Sequence, residues 1–302
     1  MNNINSSKND QLFLMGMIAS MTCWGLSWAS GKVLAGYGSP LTIALYRFSV
    51  TFISLLFILI CLRQKLTILR SGLKDLLIAS IFISLYFYLF FKALSLGKAG
   101  AGGVLVTVLN PIVSYGFMLA MMKRRPSKNE TIGLTIGIVA GVILLQLWSQ
   151  WNNLFGAGTI YFLLASFTWA VLSIFTSRSS KYGSPVVFSL WMYGICSIVM
   201  MVISNTSENI HLFQTGDKFF WWNMFFSATI TTAMATTFYF VATSKLGASK
   251  ASSFIFLVPF SAAIGSWIFL NEEPQLHTIV GGLLGVAAVY ILNKKSTSEK
   301  AL

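Results

Sequence analysis

Ten apolar runs, each roughly 20 residues long and joined by short polar connections, leave this chain few ways to fold. They fall at about 12–34, 41–62, 74–95, 99–122, 130–148, 157–177, 185–204, 219–243, 249–270 and 276–293. Each is long enough to cross the hydrocarbon of a bilayer. No water is available there to satisfy backbone N–H and C=O groups, so such segments become helices. The expectation is an all-α integral membrane protein with ten transmembrane helices. Gly36 to Pro40, Pro126, Gly156, Gly183 to Pro185 and Pro274 punctuate the joints. The longest connection, Asn205 to Lys218, leaves no room for a folded domain. Only 10% of residues are charged, against about a quarter in soluble domains. That excludes an ordinary soluble enzyme, a disordered protein and a secreted disulfide scaffold.

The net charge of +13 tests this reading. With the N-terminus placed inside, sixteen of the 21 basic residues fall on the inner side. They include Arg63, Lys65, Arg70 and Lys74, then Lys123, Arg124, Arg125 and Lys128, and finally Lys294, Lys295 and Lys300. Lys32, Lys92, Lys98 and Lys218 fall outside, and Arg47 lies within the second run. Basic residues collect in cytoplasmic loops, so both termini are expected in the cytoplasm and the chain in the cytoplasmic (inner) membrane. The positive charge then records orientation, and nucleic acid is not an expected partner. The first run exceeds the roughly 7–15 apolar residues of a signal peptide, so it is read as a retained helix.

The chain also repeats itself. Tyr37-Gly38-Ser39-Pro40 recurs as Tyr182-Gly183-Ser184-Pro185, and at the same spacing Trp24 falls on Trp169. Leu96-Gly97 recurs as Leu246-Gly247, Pro111 and Pro126 as Pro259 and Pro274, and Gly133 and Gly137 as Gly281 and Gly285. Tails at 1–11 and 294–302 and an outer linker at 149–156 flank two units, 12–148 and 157–293. Five helices per unit is an odd number, so the units must have opposite orientations. The inner loop Lys123-Arg124-Arg125-Pro126 becomes Asn271-Glu272-Glu273-Pro274 outside, as inversion requires. Inverted repeats are typical of transporters, with the substrate near the midplane between the repeats.

Two five-helix halves, the Trp in the first run, an Arg in the second, the glycine-rich entry to the fourth followed by Pro, and the matching Pro of the ninth resemble the EamA-like family of the drug/metabolite transporter superfamily. The resemblance covers about 12–293. It implies a central cavity surrounded by runs one to four and six to nine. It also implies that runs five and ten are peripheral, where they pack or form a homodimer, and that small metabolites, often amino acids, are exported.

The residues themselves narrow the chemistry. The acidic residues Asp10, Asp75, Glu130, Glu208, Asp217, Glu272, Glu273 and Glu299 all lie at termini, loops or helix ends. No carboxylate is available at mid-depth for proton or Na⁺ coupling, so a facilitator or exchanger is expected. Cys23, Cys61 and Cys196 are dispersed, and no acid–base pair or nucleophile motif is present. No catalytic residue, metal ligand or cofactor is expected. Arg47, with Lys92, is a candidate for attracting a substrate carboxylate or phosphate. Snorkelling to the interface is the alternative, and the more natural one for Lys32. Mid-depth Trp24 and Trp169 need partners for their indole N–H groups, which a cavity wall or a helix interface supplies. Trp28 shares a helix face with Trp24. Tyr86, Tyr88 and Tyr239 resemble cavity-lining positions of the family. Asn110 either donates to substrate or caps the carbonyl freed by Pro111. Pro111 and Pro259 are hinges or static kinks. Gly97, Gly102 and Gly103 open the fourth helix as a candidate gate, whereas Gly133, Gly137, Gly141, Gly281 and Gly285 permit close helix packing. The expected function is export of small metabolites, amino acids first, by alternating access. The alternatives are an importer or exchanger of anionic phosphorylated or nucleotide-type metabolites, and a non-transporting membrane scaffold.

Overall fold

A computed structural model describes residues 2–122, 126–149, 156, 158–176, 178–239 and 253–293. Among them no β-strand occurs. The helices are α1 (Asn2–Leu34), α2 (Pro40–Cys61), α3 (Leu73–Leu96), α4 (Ala99–Met122), α5 (Lys128–Leu144), α6 (Thr159–Thr176), α7 (Pro185–Ile203), α8 (Thr206–Thr215), α9 (Lys218–Phe225), α10 (Leu257–Leu270) and α11 (Leu276–Asn293). Helix α9 continues as a π-helix over Phe226–Ala235. Among the described residues four helices, within Pro40–Cys61, Arg70–Leu96, Thr159–Lys181 and Pro185–Ile203, are long and apolar enough to cross a membrane, and shorter apolar helices accompany them. Their outward faces are apolar as well: Ile53, Phe57 and Ile60 on α2 and Ile198, Met201 and Val202 on α7 are exposed, Val202 to 78%. Helices that are apolar outside as well as inside suit a lipid surface. The loop Lys123-Arg124-Arg125, linker residues 150–155, the Leu246-Gly247 element and the tail 294–302 lie outside the described residues.

Helix α1 packs against α10 and against the π-helix, α6 packs against α4 and α3, α2 against α7, and α5 against α11. The repeated Tyr-Gly-Ser-Pro element explains part of this arrangement. Ser39 and Ser184 are the N-caps of α2 and α7, each followed by Pro in the first turn. Proline is tolerated there because its missing N–H would have no intrahelical partner. Gly183 adopts φ 133°, which a side chain would disfavour. The tyrosines do matching work in the two copies. The Tyr37 hydroxyl donates to Asp217 Oδ1 at 2.9 Å, and the Tyr182 hydroxyl donates to Asp75 Oδ2 at 2.8 Å. Asp217 caps α9 by accepting from the Phe220 N–H, and Asp75 lies in the first turn of α3.

The connection from Asn205 to Lys218 folds further than its length suggested. Asn205 Oδ1 accepts from the Ser207 and Glu208 N–H groups and starts α8. This helix lies over the beginning of α2. Glu208 accepts from the Ser39 N–H, and the Thr42 and Tyr46 hydroxyls donate to Asn209. Pro259, expected to interrupt the ninth helix, instead lies in the first turn of α10. A 3₁₀ turn, Ser253–Phe256, precedes it. The irregular turn therefore lies ahead of the proline, which is the third residue of the regular helix, where an N–H has no intrahelical partner to lose.

Gly133 of α5 and Gly281 of α11 face each other's helix, whereas Gly137, Gly141 and Gly285 face α4. A Cβ at Gly133 would fall 2.7 Å from Leu292 Cγ, and one at Gly281 would fall 2.7 Å from Leu144 Cγ. Gly281→Leu should therefore lower the thermal midpoint and broaden the elution profile in detergent, through overpacking of about 1–3 kcal/mol. Gly281→Ala should do so less. A second expectation concerns acid. Asp217 is held below its ordinary carboxyl pKa, first by the Phe220 N–H and then by the Tyr37 hydroxyl. Its contribution is complete above the ordinary carboxyl range and is lost as pH falls through the lowered value. Tyr37→Phe should shift this loss to higher pH in thermal melts between about pH 2 and 5.

Candidate functional site

A cavity of about 510 Å³ lies among α1, α2, α3, α4, α6, α7, the π-helix and α10. Its wall includes Trp24, Trp28, Arg47, Tyr86, Asn110, Trp169 and Tyr239, all candidates from the sequence. Helix α2 places Arg47 two turns inside its Ser39 cap, and the side chain is 4% exposed. Nη2 donates to Thr232 Oγ1 at 3.2 Å, and Cζ lies 4.7 Å from the Phe87 ring centroid. Among the described residues Nε and Nη1 have no hydrogen-bond partner. A desolvated cation–π contact is worth about 2 kcal/mol, whereas burying an ion costs several kcal/mol. The ring offsets only part of that burial, and the two unpaired nitrogens are donors for an anion.

The aromatic residues are held from both halves of the chain. Trp24 Nε1 donates to Thr236 Oγ1 at 3.3 Å, and its ring lies 5.3 Å from that of Tyr239. Trp169 lies 4.7 Å from Tyr86. The Asn110 amide, oriented to satisfy its neighbours, donates to Val106 O and Ser166 O, each at 3.3 Å, and so ties α4 to α6. Pro111 follows within α4, which continues through it.

Tyr88 and Lys92 do not line this cavity. On α3 the cavity face consists of Ile83, Tyr86, Phe87 and Phe90. Helical rotation of about 100° per residue puts positions two further along on the opposite side. Lys32 is also elsewhere. Its Nζ donates to Leu94 O at 2.5 Å and Gly97 O at 2.8 Å, capping the C-terminal end of α3, where cations are favoured.

A second cavity, of about 420 Å³, is lined by Gly97, Gly100, Gly102, Phe162, Glu272 and His277, among others. Glu272 Oε2 accepts from the Gly100 N–H at 3.0 Å. Trp28, on the first cavity, and Phe162, on the second, have ring centroids 6.0 Å apart, and Trp28 also meets Phe90 at 4.9 Å. Helix α4 fits closely beside these rings. A Cβ at Gly102 would lie within 2.6 Å of Phe162 Cε2, and one at Gly103 within 2.6 Å of Ala262 Cβ. Gly102 and Gly103 thus sit where aromatic rings separate the two cavities.

Sequence reasoning missed Thr231, Thr232, Thr236 and Tyr193 as lining residues. The run Thr231-Thr232-Ala233-Met234-Ala235-Thr236-Thr237 was a visible polar signal in an apolar segment. The π-helix was not visible. The Thr236 N–H bonds Thr231 O, five residues back, and the Thr232 and Thr236 hydroxyls follow the same spacing to Ser227 O and Thr231 O. Single π turns often mark functional sites. Arg47→Met should raise thermal stability by roughly 1–4 kcal/mol, the range found when buried charges give way to apolar residues of similar volume. A melt in detergent checks this.

The chain matches the model of the EamA-like transporter family over residues 11–146 and 156–294. It is 23% identical over 287 residues to Uncharacterized transporter YoaV of Bacillus subtilis (strain 168), covering 92% of this chain and 95% of that one. It is 25% identical to Uncharacterized transporter YvbV of the same organism, over 92% and 90% of the two chains. A WAT1-related protein of Arabidopsis thaliana, At3g02690, chloroplastic, is 28% identical over 53% of this chain and 40% of that protein. A crystal structure superposes with a TM-score of 0.58 at 14% identity, over 92% of this chain and 96% of the other, which shows a shared fold. The chain belongs to the EamA-like transporter family of the drug/metabolite transporter superfamily, and is a multi-pass membrane transporter.

Proposed function

We propose that this transporter crosses the cytoplasmic membrane ten times, as two inverted five-helix repeats at about 12–148 and 157–293 with both termini in the cytoplasm. It exports small amphipathic metabolites carrying a carboxylate, with amino acids and related compounds first, by alternating access. The repeat reading is supported by packing that survives exchange of the halves: α1 with α10 mirrors α6 with α4, and the π-helix with α1 mirrors α3 with α6. It is supported too by the paired Tyr37–Asp217 and Tyr182–Asp75 bonds. The distribution of basic residues supports the orientation.

One observation carries the substrate assignment. Arg47 is buried in an aromatic cavity with two unpaired nitrogens. A polyanion would need several cations, yet Lys32 is occupied at the end of α3 and Lys92 is off the cavity. A cavity of this size also argues against a scaffold without transport. The glycine faces of α5 and α11 are used within the chain, so a homodimer through these helices would use exposed residues such as Ile138 and Leu283. Trp24→Ala and Trp169→Ala should each lower efflux of a carried carboxylate from proteoliposomes by about tenfold, the loss expected for roughly 1.4 kcal/mol of aromatic contact. Unchanged elution profiles would separate this effect from misfolding. Undiminished efflux from both variants would overturn the cavity assignment.

A further inference from the structure

Resting on the central-cavity reading above, but replacing its preference for amino acids, we infer that the carried species is a net anion, a small carboxylate without a free ammonium group, and that the membrane potential drives it outward. The charges lead to this conclusion. Arg47 is a charged group in the cavity wall, and among the described residues no acidic one lies beside it. The acids at the helix ends are engaged elsewhere. Asp75 is bound by Tyr182 and lies 3.8 Å from Arg178, Glu130 accepts from the Ser127 N–H, Glu208 from the Ser39 N–H, Asp217 from the Phe220 N–H, and Glu272 from the Gly100 N–H. Glu273 lines the second cavity, and Asp10 and Glu299 belong to the terminal stretches.

A monoanion placed on Nε and Nη1 neutralises the site. A zwitterion does not, because its own ammonium offsets its carboxylate and is then desolvated beside Arg47. The remaining polar wall offers that ammonium hydroxyl oxygens, the Asn110 amide oxygen and aromatic ring faces, none of which carries a formal negative charge. Ser27, Ser173 and Thr176 already donate their protons to Trp24 O, Trp169 O and Leu172 O. Their lone pairs can accept a hydrogen bond but bring no compensating charge, so an ammonium group is disfavoured there.

The same inventory identifies the driving force. With no carboxylate among the described residues of the cavity wall to carry a proton, the charge moved per cycle is the substrate's own. The loaded site is neutral, and the empty site returns with the charge of Arg47. In a cell with a negative interior, the neutral loaded step does not respond to the potential, whereas the inward return of the positive empty site is favoured, so the cycle as a whole drives the anion outward. The potential supplies about 2.3 kcal/mol per charge per 100 mV, a limiting concentration ratio of about 50-fold.

The test uses the full chain in proteoliposomes with valinomycin and potassium gradients at equal pH on both sides. Three probes of one skeleton are compared with protein-free vesicles: 3-phenylpropionate, phenylalanine and phenethylamine. We expect 3-phenylpropionate to leave fastest, to accelerate when the interior is negative, and to be retained when it is positive. Phenylalanine should move at least about tenfold more slowly, which is about 1.4 kcal/mol of discrimination. Arg47→Gln should abolish carboxylate flux, and Arg47→Lys should restore part of it. Phenylalanine flux that equals the carboxylate flux, depends on Arg47 and ignores the potential would overturn the net-anion inference while leaving the cavity reading intact. Carboxylate flux that persists in Arg47→Gln, or no flux of any probe, would overturn the cavity reading itself.

Discussion

A polar group that leaves water for hydrocarbon must find its partner inside the protein, and the rest of this structure is arranged around that requirement. The helices satisfy the backbone. Many hydroxyls then bond back to their own helix: Ser54 to Val50 O, Ser80 to Leu76 O, Ser166 to Phe162 O and Ser197 to Tyr193 O. Lys32 covers the exposed carbonyls at the end of α3, and Asn110 bridges carbonyls of α4 and α6. Arg47 departs from this pattern, with a buried guanidinium that the protein only partly satisfies. Its incomplete satisfaction is what connects the fold to the proposed transport, in which an anion would complete it.

The surroundings of Arg47 fit that role. Phe87 gives the cation a polarisable face without neutralising it. Thr232 is presented by the π-helix, which α1 and α2 grip through Thr231 on Cys23 O, Thr51 on Ala228 O and Ser54 against Thr229. The element that contacts the cation is therefore also held by both neighbouring helices, so movement of α1 or α2 is felt at the site. At the far wall Trp28 and Phe162 close the cavity off from a second space, beside α4 glycines with no room for a side chain. A path between the two spaces requires these rings or α4 to shift.

Much of this was legible in the residues. The long apolar runs became the long helices, and the Ser-Pro elements became helix starts. Trp24, Arg47 and Trp169 stood out because a Trp at mid-depth or a charge within an apolar run demands a partner. Tyr88 and Lys92 were misleading for a related reason. Residue type and depth suggested the cavity, but their rotation about α3 was set by the face that Tyr86 and Phe90 present. Residue type likewise placed Pro259 as a kink, although the irregular turn ahead of it changes its role.

By itself the sequence determined that the chain is built for lipid, where α2 and α7 begin, and which residues could not be left unpartnered. These follow from local chemistry: apolar length, capping residues and isolated polar groups. Only the tertiary structure decided that Lys32 caps a neighbouring helix while Arg47 keeps two free nitrogens. It also decided that α8 covers the start of α2 and that a π-helix turns threonines onto the cavity. Each of these depends on which helix packs beside which, and at what rotation, and these features are set by contacts between residues far apart in the chain.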